Sequence, residues 1–151
     1  MKNLILIFTL FFITMSFSQD IVGKWKTIDD KRNTESSIME IYKIDGKYYA
    51  KIIAILNKDN KDICTSCTGK YKNKNLEGVI VASGLTKVDR TFNGKILDPE
   101  SDKIYSCYMQ LKENDTLKIR GYIGFSLLGR TQYWYRVTND EATLLINKSK
   151  V

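Results

Sequence analysis

The stretch that decides the fold is KIYSCYMQLKENDTLKIRGY, residues 103–122. Its first half alternates with a period of two, so that Tyr105, Cys107, Met109 and Leu111 fall on one side of an extended chain. Glu113-Asn114-Asp115 is a polar turn. Thr116 to Tyr122 then alternates again, with Leu117 and Ile119 opposite Lys118 and Arg120. Period-two runs separated by a short polar turn predict a hairpin with one face turned to a core.

The same grammar extends outward in both directions. Towards the N-terminus, Asp98-Pro99-Glu100-Ser101-Asp102 is a turn and Thr91–Leu97 a strand, with Asn93-Gly94 inside it. Residues 76–88 (LEGVIVASGLTKV) are strand-like, and Gly78 and Gly84 suggest bulges or bends there. Asn57 to Asn75 breaks the pattern: it is rich in Lys, Asn and Asp, has no apolar period, and carries Cys64 and Cys67. It is long for a hairpin loop, and long loops in compact domains are often functional. Lys47–Leu56 sets Tyr48, Ala50, Ile52 and Ala54 on one side, after the hairpin signal Asp45-Gly46. Ser37–Lys43 precedes it, then a polar loop, and Ile21–Thr27 opens the series with Ile21, Gly23 and Trp25 on one face. Towards the C-terminus, a glycine-containing stretch, Ile123–Gly129, leads to the last strong strand, Arg130–Val137; residues 138–151 are a weaker tail.

About eight short strands with hairpin-length connections predict an all-β fold, an up-and-down antiparallel barrel or a sandwich, with no place for βαβ units. Closure is favoured because an open meander leaves two exposed edges. An eight-stranded barrel has room inside for side chains or one small ligand.

Residues 1–18 read as a signal peptide: Lys2, the apolar run Leu4–Ile13, and the small residues Ser16 and Ser18 before a cut at Gln19. The apolar run is short of the roughly 20 residues a membrane span needs, and no Cys stands at the cut for lipid attachment. Cleavage would leave 133 of the 151 residues, the barrel domain at 19–137 plus its tail, with net charge reduced from +7 to +6 and no transmembrane segment. The expected location is periplasmic or secreted, which removes nucleic acid as a partner. The Lys residues are spread along the chain, as on a solvated basic surface; the positive balance also suits an anionic envelope surface.

The chain has no histidine, which removes Ser-His, Cys-His and His-metal chemistry together. Cys64-Thr65-Ser66-Cys67 and a lone Cys107 allow a disulfide within the first pair or from either member to Cys107. A redox pair lacks its usual helix N-terminus, and three thiolates make an incomplete zinc set. Asp98, Glu100 and Asp102 fit a turn better than a metal loop. No nucleophile elbow or phosphate-binding glycine loop occurs. No metal or cofactor is implied.

Gly23-x-Trp25 is how the lipocalin and fatty-acid-binding superfamily begins, its Trp closing the barrel floor against an Arg of the last strand; Arg130 and Arg136 are the candidates. The wider pattern resembles the exported bacterial family called domain of unknown function 2147. The features that carry the resemblance are GKW, MEIYKIDGKYYAKI, the Cys-x-x-Cys loop, LEGVIVASGL, GKILDPESDKIYSC and LKIRGYIGFSLLGRTQYWYRV, in order from Asp20 to Val137. The resemblance implies a lipocalin-like barrel and export, and it brings no activity with it.

The expected function is binding of a small apolar or amphipathic molecule in the barrel, with Trp25, Tyr42, Arg120 and Trp134 lining or closing the cavity. Arg120 turned inward would need a partner, because an unpaired buried charge is expensive; Glu40 is the candidate. Inside, it would hold an anionic group. Arg130 sits where it could stack on Trp25 or gate a mouth. The alternative is an envelope interaction protein that contacts an acidic surface or a partner through its basic face and the 57–75 loop. An enzyme is the weakest reading, since no catalytic constellation assembles.

Overall fold

A computed structural model describes residues 20–30, 32–56 and 63–150. The expected signal peptide, residues 1–18, lies outside the described residues. Eight strands follow one another: β1 (Gly23–Asp29), β2 (Thr34–Ile44), β3 (Lys47–Ile55), β4 (Ile80–Val88), β5 (Thr91–Asp98), β6 (Lys103–Lys112), β7 (Thr116–Tyr122) and β8 (Gly129–Val137). Each pairs antiparallel with the next and β8 returns to β1, so the sheet is a closed barrel in up-and-down order. Closure leaves no open edge.

Turn chemistry sets the hairpins. Asp45 and Gly46 hold φ of 49° and 77°, and Asn114 and Asp115 hold 57° and 51°; tight turns with successive positive φ match the right-handed twist of paired strands. The β4–β5 ladder shifts register between Ser83 and Thr86, around Gly84, where a bulge is expected from sequence.

Alternation packs one face of every strand into a single core that includes Trp25, Ile41, Tyr48, Leu85, Phe92, Met109, Leu117 and Trp134. One expected position departs from it. The period of two groups Ala54 with Tyr48, Ala50 and Ile52, but the β2–β3 register shifts between Ile38 and Met39, whose partners are Ala54 and Ile52. The extra residue, Ile53, reverses the alternation, and Ala54 joins an outer cluster with Ile38, Leu56, Val137 and Ala142.

That outer cluster is covered by α1 (Asn139–Ser149), which lies in the segment read as a weak tail. Thr138 caps it, its hydroxyl accepting from Glu141 N at 3.1 Å. Asp140 and Glu141 stand in the first turn and Lys148 in the last, as the helix dipole favours. Ala142, Leu145 and Ile146 share the face that packs on the barrel. Among the described residues no helix is long and apolar enough to cross a membrane.

Candidate functional site: the open end of the barrel

Up-and-down order puts the start of β1 and the end of β8 at one end, and the loops β1–β2, β3–β4, β5–β6 and β7–β8 at the other. The first end is filled. Trp25 is fully buried and its indole N–H donates to Ile21 O at 2.9 Å. The β1–β8 register sets Arg136 opposite Trp25, and its guanidinium lies 4.3 Å from the ring centroid. Arg136 also donates to Val22 O at 3.0 Å, Asp20 O at 2.7 Å and Asp115 Oδ1 at 2.9 Å. A Cβ on Gly23 would come to 3.0 Å from the Arg136 guanidinium, so the glycine of Gly-x-Trp makes room for this plug. Of the two candidate arginines, Arg136 takes the floor.

The other end holds a cavity of about 350 Å³. Its apolar wall comes from β2 to β5 through Met39, Ile52, Val81 and Ile96. Its polar side comes from β8 and β1: Arg130, Gln132 and Trp134 stand in file along one strand, beside Thr27 and Ser37. Thr27 and Ser37 are buried, their hydroxyls 2.7 Å apart, and Ser37 N donates to Thr27 Oγ1 at 3.1 Å. Trp134 is 2% exposed, and among the described residues its indole N–H has no hydrogen-bond partner. A buried donor without an acceptor is costly, and native proteins leave few of them. Arg130 stands at the rim, 66% exposed, and pairs with Asp30 Oδ2 through Nη2 at 2.6 Å and Nε at 3.2 Å.

The Cys-x-x-Cys segment forms part of this end. Cys64 and Cys67 are joined in a disulfide, and Cys64 and Leu76 line the cavity. The segment is hooked to the β5–β6 turn: Thr68 donates to Glu100 O from its N–H at 2.8 Å and its hydroxyl at 2.9 Å, and Lys70 N donates to Asp102 Oδ2 at 3.2 Å. It is hooked also to β3, where Ile52 N donates to Val79 O at 3.0 Å and Ile52 O accepts from Gly78 N at 2.7 Å. Asp98 is a turn residue, accepting from Glu100 N at 3.0 Å and Ser101 Oγ at 2.6 Å. Among the described residues no three His, Cys, Asp or Glu side chains group to hold a metal.

Cys107, the remaining thiol, is free and buried between Gly94 and Gly121 on neighbouring strands. Burial pushes its pKa up to about 12, against smaller lowering contributions from a Gly94 backbone hydrogen bond and the Lys95 charge. It is a core residue, and it takes no part in the disulfide.

Three expected site residues face outward instead. Arg120 lies opposite Leu117 and Ile119 in the alternation of β7, and its guanidinium donates to Ser126 O, to Leu127 O at 2.9 Å and to Thr131 Oγ1 at 2.8 Å. It holds the β7–β8 loop rather than entering the barrel. Glu40 pairs with Lys51 at 2.7 Å, not with Arg120. The hydrogen bond and charge of Glu40 raise the Lys51 ammonium above its ordinary pKa. Tyr42 stacks on Tyr49 at 5.7 Å, with Lys51 over its ring. The physical reason is shared: strand parity commits neighbours such as Ile41 and Ile119 to the core. Thr27, Ser37, Gly121 and Gln132 were missed as wall residues, although the same period of two, carried along β1, β2, β7 and β8, places each of them inside.

The solved structures include a similar chain, Protein HP1028 from Helicobacter pylori, described as belonging to the lipocalin family. Identity is 25%, the TM-score is 0.67, and the match covers 83% of this chain and 88% of that one. No curated protein matches the chain. The family described as an uncharacterized protein conserved in bacteria, DUF2147, matches residues 23–136 from the floor glycine to the floor arginine, and the chain belongs to that family.

Proposed function

We propose that the protein is an exported carrier that takes a small amphipathic molecule into the open end of its barrel. The observation that carries this reading is the cavity of about 350 Å³ lined by Trp134, whose buried indole N–H has no partner among the described residues. Cavities of a few hundred Å³ that set placed polar groups against an apolar wall are a usual form of small-molecule site. The apolar body of the ligand lies against Met39, Ile52, Val81 and Ile96, and its oxygen-bearing part along Arg130, Gln132 and Trp134. The Cys64–Cys67 segment forms the lid, and its disulfide suits an oxidising compartment reached through the signal peptide at 1–18. The lipocalin-family description of the Helicobacter pylori protein agrees with a ligand-holding barrel.

The test is native mass spectrometry on protein recovered from the periplasm without denaturation, beside a Gly121→Leu variant. Gly121 lines the cavity, and a Cβ there meets its nearest neighbour, Ile96 Cγ2, at an ordinary 3.4 Å, so larger side chains grow into the void. The expected result is an adduct of fixed mass on the wild type, lost on organic extraction and absent from the folded variant. A clean apo mass that lipid and metabolite mixtures leave unchanged would sink the reading.

A further inference from the structure

The β7–β8 loop, read from sequence only as a glycine-containing connection, exposes an unusual amount of apolar surface. Ile123, Phe125, Leu127 and Leu128 are 69%, 80%, 87% and 73% exposed. Single exposed apolar residues are ordinary, but a contiguous group marks an interaction site. The loop is a built structure: Leu128 N donates to Phe125 O at 3.1 Å, and the Arg120 guanidinium ties the carbonyls of Ser126 and Leu127 to Thr131 on β8. It projects at the same end of the barrel as the cavity mouth.

Charge identifies what the loop meets. From Thr116 to Thr138 the chain contains no carboxylate, while it carries Lys118, Arg120, Arg130 and Arg136. Arg130 and Arg136 are paired with Asp30 and Asp115. The Arg120 guanidinium, directly behind the apolar tip, donates only to uncharged oxygens among the described residues. An apolar tip backed by the Arg120 cation matches the outer layers of an anionic membrane, acyl boundary and headgroup charge. Area argues against a second protein copy. Four side chains on a convex tip offer far less than the roughly 800 Å² per partner of a standard protein interface.

We infer that the β7–β8 loop docks the open end of the barrel on an anionic phospholipid surface, with Ile123, Phe125, Leu127 and Leu128 entering the acyl boundary and Arg120 at the headgroups. The inference does not depend on what the cavity holds.

The experiment is co-sedimentation of the full chain, as processed by the cell, with phosphatidylglycerol–phosphatidylethanolamine vesicles and with phosphatidylcholine vesicles. Binding to the anionic vesicles is expected, retained in part at high salt because the tip is apolar, and weakened about tenfold or more in a Phe125→Ser/Leu127→Ser variant. Both side chains are exposed, so the variant keeps its circular dichroism and melting temperature. Arg120→Gln lowers binding to the anionic vesicles alone. The Gly121→Leu variant binds as the wild type does, which separates this result from the carrier test. Equal binding by the loop variant, or a wild type that stays in the supernatant with both vesicles, overturns the inference. So does a dimer in sedimentation velocity that the loop substitutions dissolve, since the tip would then meet a second copy.

Discussion

The two ends of this barrel are made from the same strands with the same alternation, yet one is solid and the other hollow. At the closed end Ile21, Trp25, Ile41 and Leu117 are at most 1% exposed, and Arg136 spends its guanidinium on an indole ring, two main-chain carbonyls and one carboxylate. At the open end the corresponding arginine, Arg130, pairs with Asp30 and remains 66% exposed, while the wall below it changes to Thr, Ser, Gln and a Trp whose indole N–H has no partner among the described residues. The lesson is one of division of labour. Stability concentrates where large side chains and satisfied polar groups fill the floor, which frees the other end to carry a void, a buried orphan donor and an exposed apolar loop.

The comparison breaks first at Trp25. Trp25→Ala should destabilise the barrel by about 3–5 kcal/mol, as large-to-small substitutions at buried aromatics do, and urea unfolding reads the loss directly. A cost below about 1 kcal/mol would mean that the floor is not where the stability lies. Next come the arginines. Arg136→Ala removes three hydrogen bonds and a cation–π contact and should cost about 2 kcal/mol. Arg130→Ala removes one exposed ion pair and should cost less than about 1 kcal/mol, while changing which adducts the cavity retains. Equal melting temperatures for the two variants would erase the distinction between the ends.

Cys107 sharpens the comparison, because it sits beside Gly121 where the filled part of the barrel gives way to the cavity. Its folded pKa is raised from 9.0 to about 12, so the thiol is neutral in both states well below pH 9. Between pH 9 and about 12 the unfolded chain ionises and the folded one does not, so stability falls as pH rises through that window. The slope approaches at most about 1.4 kcal/mol per pH unit. Cys107→Ala should flatten this part of the stability–pH curve relative to the wild type. In the native protein, iodoacetamide should leave the thiol unmodified at pH 9; rapid alkylation there would show that water reaches the supposedly solid half.

Much of the fold was legible because its causes are local. Alternation in 103–122 and the turn residues Asp45-Gly46 and Glu113-Asn114-Asp115 locate strands within a few residues of those observed. The helix at 139–149 escaped, although Thr138 and Glu141 stand at capping-box spacing and Ala142, Leu145 and Ile146 at helical spacing. Its apolar stripe is narrow and only Ala142 is fully buried, so most of its support comes from contact with Ile38, Ala54 and Val137. The site was read less well. Arg120 and Glu40 suit an inward anion site only if Arg120 turns inward, and the parity of their own strands turns both outward. Trp134 and Arg130 line the cavity, whereas Trp25 and Arg136 form the floor.

By itself, then, the sequence determined the run of about eight strands, the hairpin order and the alternation of the strands up to the extra residue at Ile53, since steric preference and turn conformation act over a few neighbouring residues. Arg130 and Arg136 share a parity, so no periodicity could tell floor from rim. Only closure of β8 onto β1, which sets Arg136 against Trp25, assigned them. The extra residue at Ile53 likewise exists only in relation to its partner strand. The tertiary structure decided which end is solid, which way Ala54 turns, and where the hollow lies, because height and register in a barrel are set by pairing between distant segments.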